Sequence, residues 1–256
     1  MCNEVAKRKM IPKYVHYCWF GKGKKSELSL KCINSWKRFL TDYTFIEWNE
    51  ENCDIDILPY VRQAYDNKKY AFVSDYFRLK ALYDYGGIYF DTDYELLKPI
   101  DSIIKSKGRL ITGLECVDNA LTAIIITEVH NPVIKELMDT YQRRQFVDSY
   151  GHMDLTPINV GFSRVLSKYG IDLKKNEFQK AGNGIIFYPN EVLCGFDVEN
   201  WHEKIYKKTI GVHHMGTSWA TPEMKKHIQR IHRLQSIMGL KLYDRLKAVI
   251  KRIRRD

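Results

Sequence analysis

The sequence predicts an α/β fold with a central, mainly parallel sheet flanked by helices and basic helices at the C-terminus. Three observations carry this. Short apolar runs alternate along the chain with longer segments of helical periodicity. Two glycines, Gly86-Gly87, separate the strongest helical run from an apolar strand. The final stretch, Lys225–Asp256, holds eleven Lys/Arg against two Asp and takes about +9 of the total net charge of +10.

The elements follow in order. Tyr14–Phe20 reads as a first strand, closed by Gly21-Lys22-Gly23. Ser26 is placed to cap a helix running to Leu40. Phe45–Trp48 is a short strand. Ile57–Asn67 is helical, with Pro59 suited to the first turn. Phe72–Tyr85 is a helix, because Phe72, Tyr76, Leu79, Leu82 and Tyr83 fall at helical spacing. A strand follows and runs into Asp91 and Asp93. Leu110–Leu114 and Ala120–Thr127 read as strands, Pro132–Arg143 and Asn159–Tyr169 as helices, and Ile185–Tyr188 and Thr209–His214 as late strands. In the tail, Ile228, Ile231, Leu234, Ile237 and Met238 form one apolar stripe. Leu242, Leu246, Val249, Ile250 and Ile253 form another, with Gly239 between. We divide the chain into a catalytic domain, 1–224, and a basic amphipathic tail, 225–256.

Composition narrows the function classes. At 256 residues, 45% hydrophobic and 13% aromatic, the chain can bury one substantial core. No apolar run is long enough to span a bilayer. Met1–Lys13 is polar and basic with no signal-peptide pattern. The six cysteines include no C-x-x-C pair, which suits reduced thiols in a cytoplasmic protein. The near-neutral body argues against nucleic acid as a partner.

The chemistry gathers at expected strand ends, where α/β sheets bind ligands. Residues of like parity on a strand point the same way, so Asp91 and Asp93 are expected to face one spot. Two convergent carboxylates call for a hard divalent cation, Mg²⁺ or Mn²⁺, completed by substrate phosphates. Asp75 and Arg78, at i and i+3, share a helix face. They read either as a solvated ion pair or as a carboxylate and guanidinium offered to sugar hydroxyls or phosphate. His213 and His214 alternate on a strand, so at most one of them can join the cation; they read either that way or as one core and one surface histidine. Trp19 is a stacking surface for a nucleobase or part of the core.

These runs resemble a known family. Ile11-Pro12-Lys13-Tyr14-Val15-His16-Tyr17-Cys18-Trp19-Phe20-Gly21 is similar to the opening of glycosyltransferase family 32, the DXD sugar transferases of the capsular polysaccharide type. Ser74-Asp75-Tyr76-Phe77-Arg78 through Gly86-Gly87-Ile88-Tyr89-Phe90-Asp91-Thr92-Asp93 resembles its central signature, continued by Leu96-Leu97-Lys98-Pro99-Ile100-Asp101. His213-His214 to Ser218-Trp219 resembles its C-terminal motif. The S-D-x-x-R and D-x-D pairing also resembles the clostridial glucosylating toxins.

The resemblance implies a GT-A nucleotide-sugar-binding fold, a divalent metal, a nucleotide-sugar donor and retention of anomeric configuration; a UDP-sugar is the expected donor. It makes Asp93 the direct metal ligand, with Asp91 binding through water or the ribose. Asp75 and Arg78 would hold donor sugar hydroxyls, and Trp19 would stack on the base. His213, three residues before Gly216 as in the related family 8 enzymes, would complete the metal shell, with His214 the alternative. Ser218 and Trp219 would sit over the diphosphate, and Asn119-Ala120, after Glu115, would line the acceptor side. The expected acceptor is a saccharide, lipid-linked in surface-polysaccharide assembly, with the basic tail on an anionic membrane. Two other classes share part of this pattern. A haloacid-dehalogenase-like phosphatase also uses D-x-D after a strand, but Glu95 stands where Thr or Val usually follows. A nucleic-acid binder would rest on the tail alone.

Overall fold

The computed structural model describes residues 10–216 and 222–253. Its strands are β1 Tyr14–Cys18, β2 Thr44–Trp48, β3 Gly87–Phe90, β4 Tyr94–Leu96, β5 Leu110–Cys116, β6 Asn119–Ala120, β7 Ile124–Thr127, β8 Gln179–Ala181, β9 Ile185–Tyr188, β10 Phe196–Asp197, β11 His202–Glu203 and β12 Gly211–His213. Its α-helices are α1 Glu27–Phe39, α2 Pro59–Asp66, α3 Tyr70–Tyr85, α4 Asp101–Ile104, α5 Pro132–Asp139, α6 Ile158–Lys168, α7 Asn190–Leu193, α8 Pro222–Met238 and α9 Leu240–Ile253.

The central sheet runs β2-β1-β3-β7-β5-β9-β8, with β6 added to β5. Five of the seven strands on this path run one way; β7 and β8 run against them. The sheet is therefore mostly parallel in direction, with helices on both faces, as the sequence predicts.

Alternation divides the apolar residues between two cores. Tyr89, Ile125, Leu110 and Phe187 pack with α2, α3, α5 and α6. Ile88, Phe90, Ile124, Ile126 and Ile186 pack on the other face with Cys32, Ile33 and Trp36 of α1 and Ile228 and Ile231 of α8. α3 is apolar nearly all round because it lies inside the protein, burying Phe72, Val73, Phe77, Leu79 and Leu82 together with Asp75 and Arg78. Its end is set by Gly86 at φ 63°, a left-handed conformation that glycine adopts without strain. The next glycine lets β3 lie close to β1: a Cβ on Gly87 would stand 2.5 Å from the Tyr14 carbonyl oxygen. Ser26 caps α1 through the Ser29 N–H, and Pro59 opens α2.

Three expectations are corrected. β3 ends at Phe90, and the Tyr94 N–H donates to the Asp91 carbonyl at 2.9 Å, so Asp91–Tyr94 is a tight turn. The two carboxylates converge because the chain turns between them; strand parity is not the cause. The single strand read over Ala120–Thr127 is two, β6 and β7. Between them the backbone leaves the ladder, and the Thr112 hydroxyl meets the Leu121 and Ile124 carbonyls at 2.6 and 3.0 Å. The first tail stripe is also divided: Ile228 and Ile231 are buried, whereas Leu234 and Ile237 are exposed.

The short ribbon of β4 and β12 is antiparallel and sets His213 opposite Tyr94. α8 is seated on the body. α9 follows a break at Gly239, where φ is 79°, and contributes Tyr243 to the buried set. Among the described residues, no helix is long and apolar enough to cross a membrane.

Candidate functional site

A cavity of about 660 Å³ opens at the carboxyl ends of β1, β3 and β5, with Trp19, Asp75, Arg78, Asp91, Asp93 and His213 in its wall. Each comes from a different structural constraint. Trp19 directly follows β1 and is half-buried, its indole N–H donating to the Gly23 carbonyl at 2.7 Å. Asp75 and Arg78 lie on the buried face of α3. Asp91 and Asp93 occupy the turn after β3. His213 ends β12, delivered by the ribbon with β4.

Asp91, Asp93 and His213 each offer a ligand atom, and the three atoms lie within 4.8 Å of one another. The two aspartates are held differently. Asp91 is engaged on both oxygens, by Arg78 at 3.2 Å on each and by the Tyr89 hydroxyl at 3.0 Å. Asp93 takes the Gly216 N–H on Oδ2 at 2.6 Å and turns Oδ1 toward His213 Nε2 at 3.4 Å. Gly216 is a close-approach position, since a Cβ there would meet Asp93 Oδ2 at 2.7 Å.

Electrostatics separates them further. Burial raises the Asp91 carboxyl pKa, and Arg78 offsets this only in part. Burial also acts on Asp93, but His213 and the Gly216 N–H outweigh it and hold its pKa at about 2. Burial would lower the His213 pKa, yet Asp93 and Glu115 keep it well above the ordinary histidine value. Burial pushes Asp75 up to about 7 despite Arg78 at 3.0 Å. Arg78 thus links Asp75 to Asp91, with its Nη1 also donating to the Thr122 carbonyl at 3.1 Å.

His214 is turned away from the pair. Its Nδ1 meets Glu203 at 2.6 Å and its Nε2 meets Glu95 at 2.9 Å, while Lys31 holds Glu95 from outside at 2.7 Å. The alternative metal role for His214 is therefore corrected: strand alternation sends its ring to the opposite side from His213, outside the ligand group. Ser218 and Trp219 lie outside the described residues. Asn119 and Ala120 form β6, and the Ala120 N–H is held by Ser163 at 2.8 Å.

Sequence reasoning gave little weight to Glu115, Tyr89, Asn159 and Gly216, which supply hydrogen bonds or charge to the same cluster. Glu115, at the end of β5, could have been found by the strand-end rule, had β5 been aligned beside β3 and β7.

Residues 26–109 match the family described as "Glycosyltransferase sugar-binding region containing DXD motif". A search of curated proteins finds no match. Three solved structures are similar at low identity. "PaToxG Glycosyltransferase" is 18% identical, with 62% of this chain and 69% of that chain covered and a TM-score of 0.46. A glycosyltransferase involved in the glycosylation of the major capsid of PBCV-1 is 14% identical, covering 86% and 100%, with a TM-score of 0.45. Galactosyltransferase LgtC, in complex with donor and acceptor sugar analogs, is 10% identical, covering 87% and 95%, with a TM-score of 0.42. Likeness this distant bears on neither chemistry nor substrate. The matched segment carries Asp75, Arg78, Asp91 and Asp93, and Asp91-Thr92-Asp93 is a D-x-D sequence within it.

Proposed function

We propose that this protein is a divalent-metal-dependent, retaining glycosyltransferase of the GT-A type that moves a sugar from a UDP-sugar to a hydroxyl of a saccharide acceptor. The observation that carries the reading is the convergence of Asp91, Asp93 and His213 in one cavity beside the Asp75–Arg78 pair. Two carboxylates and an imidazole fit Mn²⁺ or Mg²⁺, which take oxygen and neutral nitrogen ligands and leave positions for phosphate. Asp93 Oδ1 and His213 Nε2 face each other at 3.4 Å while the other Asp93 oxygen is taken by the Gly216 N–H, so these two atoms would hold the ion directly. Asp91, already neutralised by Arg78, would contribute through water or to the ribose.

When bound, the ion would neutralise the charge that develops on the nucleoside diphosphate as the glycosidic bond breaks. The protein's own groups act around it. Asp75 accepts from donor sugar hydroxyls and Arg78 fixes its orientation. Trp19 offers its ring to the base. The Gly216 N–H keeps Asp93 aimed into the cavity. Both Asp91 oxygens are engaged by Arg78 and Tyr89, which argues against Asp91 as a nucleophile of the phosphatase kind. We favour attack by the acceptor hydroxyl on the face the diphosphate leaves, with that phosphate accepting the proton.

In this reading 1–224 holds the catalytic residues, with Ser218 and Trp219 assigned to the diphosphate, while α8 runs across that boundary and packs Ile228 and Ile231 into the same core. The tail, 225–256, binds the anionic inner face of a membrane, where a lipid-linked acceptor in surface or capsular polysaccharide synthesis would be met. The enzyme would then be cytoplasmic and peripheral. The outward apolar face of α9, with Leu242, Leu246, Val249 and Ile250 exposed beside exposed Lys241 and Arg245, supports this. A panel of UDP- and GDP-sugars with Mn²⁺, scored by donor hydrolysis, tests the donor. Turnover of one UDP-sugar that EDTA abolishes is expected. No turnover with any of them, or turnover indifferent to EDTA, would sink the reading.

A further inference from the structure

Glu115 belongs to neither motif, yet its carboxylate reaches the centre of the site. It stands on the last turn-in of β5, with 12% of its side chain exposed, and points one oxygen at His213 Nδ1 across 3.4 Å. Its other oxygen accepts from Asn159 Nδ2 at 3.0 Å. Both oxygens are therefore directed, one at α6 and one at the imidazole. His213 Nδ1 is buried and makes no hydrogen bond among the described residues. A buried donor left unsatisfied is costly, and the acceptor facing this one is Glu115, at 3.4 Å.

The chemistry of the ring makes this arrangement informative. A neutral imidazole carries one proton and one lone pair, on different nitrogens. A carboxylate only accepts, so a ring whose Nδ1 faces Glu115 keeps its proton there. Nε2 faces the Asp93 carboxylate at 3.4 Å and carries a proton as well in the metal-free site; an ion bound there would displace that proton to solvent and take the Nε2 lone pair. A metal-binding histidine is oriented in this way by a carboxylate on its far side.

We propose that Glu115 is the positioning residue that fixes His213 in the Nδ1–H tautomer, so that Nε2 is offered beside Asp93 to the divalent ion. Asn159 is the support that aims Glu115. The inference rests on the metal-dependent reading above. The start of α6 ties this support to the rest of the site. Its first residues serve both halves of the cavity: the Ile158 backbone bonds Asp75, and the Asn159 amide bonds Glu115. Glu115 is not a reacting group in this scheme, because neither oxygen is free to approach a sugar.

The test is Mn²⁺ titrated into the full-length protein, with and without UDP, the free ion being counted by EPR. Glu115→Ala is expected to weaken Mn²⁺ binding about 10–100-fold, the usual effect of losing such a supporting group. Glu115→Gln should recover part of this, since its side-chain oxygen still accepts from Nδ1 without the charge. Asn159→Ala should weaken binding by a smaller factor and serves if Glu115→Ala does not fold. Spectra of ¹⁵N-labelled histidine with Mg²⁺ give a readout that a general loss of structure would not mimic. Wild type should show His213 protonated on Nδ1 alone, and Glu115→Ala should not. Variants that bind Mn²⁺ like a metal-binding wild type, or turnover lost in Glu115→Gln with Mn²⁺ affinity untouched, overturn the positioning role alone. A wild type that binds no Mn²⁺ under either condition overturns this role and the metal reading together.

Discussion

His213 directs Nε2 at Asp93 Oδ1 across 3.4 Å, while the Gly216 N–H holds the other Asp93 oxygen at 2.6 Å. The β4–β12 ribbon and the turn after β3 make this meeting: His213 pairs with Tyr94, the residue after Asp93. The ligand pair is therefore built by backbone pairing before any ion arrives. Replacing Asp93 by Asn keeps the shape and removes the charge that both the ion and His213 require. Asp93→Asn should lower kcat/KM in donor hydrolysis by more than about 100-fold, beyond what loss of a supporting group produces. Activity near wild type would remove Asp93 from the site.

The same turn makes Gly216 sensitive. A methyl group there would lie 2.7 Å from Asp93 Oδ2, closer than side chains approach, so the carboxylate would swing off the Gly216 N–H. Gly216→Ala is expected to raise the Mn²⁺ concentration needed for half-maximal activity about tenfold. The melting temperature should change little, because the displaced atom is the end of a side chain. A normal Mn²⁺ response would show that Asp93 has freedom the hydrogen bond does not suggest.

Asp75 gives a pH prediction with a definite sign. Its carboxyl pKa rises from 3.8 to about 7 on folding, chiefly through burial. The folded state thus prefers the protonated form, and stability falls as the pH rises from about 4 toward 7. Asp75→Asn removes this penalty. The variant should match wild type near pH 4 and exceed it above pH 7, by up to about 4 kcal/mol from the size of the shift. Activity should fall at the same time, since a charged group held at a cost is a mark of a functional site. Urea unfolding at pH 5 and pH 8 checks it; a difference between the two proteins that does not widen with pH refutes the assignment.

The site was legible where pattern and chemistry coincide. D-x-D after an apolar strand and the S-D-x-x-R run on a helix each mark residues that the fold brings together. The direction in which Asp91 and Asp93 converge was readable, but its cause was not: a turn held by Tyr94 looks like strand continuation in a sequence. β4 and β12 have three residues each, too few to show period-2 alternation, so the register that selects His213 over His214 was hidden. Glu115 was barely visible for another reason. A single glutamate at a strand end has no spacing to betray it, and its importance comes from a histidine on another strand.

The tail gives the last prediction. Ile228 and Ile231 belong to the core, so a truncation before α8 would damage the body and confuse any binding assay. Substitutions on α9 avoid this. Lys241 and Arg245 are exposed and make no ion pair among the described residues, and Leu242, Leu246 and Val249 are each about half exposed. Tyr243 and the His202–Asp244 pair, at 3.2 Å, hold the opposite side of the helix to the protein, which leaves the apolar stripe facing outward with basic residues on its flank. The full chain should therefore sediment with vesicles containing anionic lipid and be released by salt, as screening requires. Lys241→Gln with Arg245→Gln should cost about 2 kcal/mol of binding, roughly a thirtyfold fall in partitioning. Leu246→Ser with Val249→Ser should weaken binding at every salt concentration, because apolar burial is not screened. Donor hydrolysis in solution should be unchanged in both variants, as neither touches the cavity. Equal sedimentation of wild type and variants would take the membrane role away from α9.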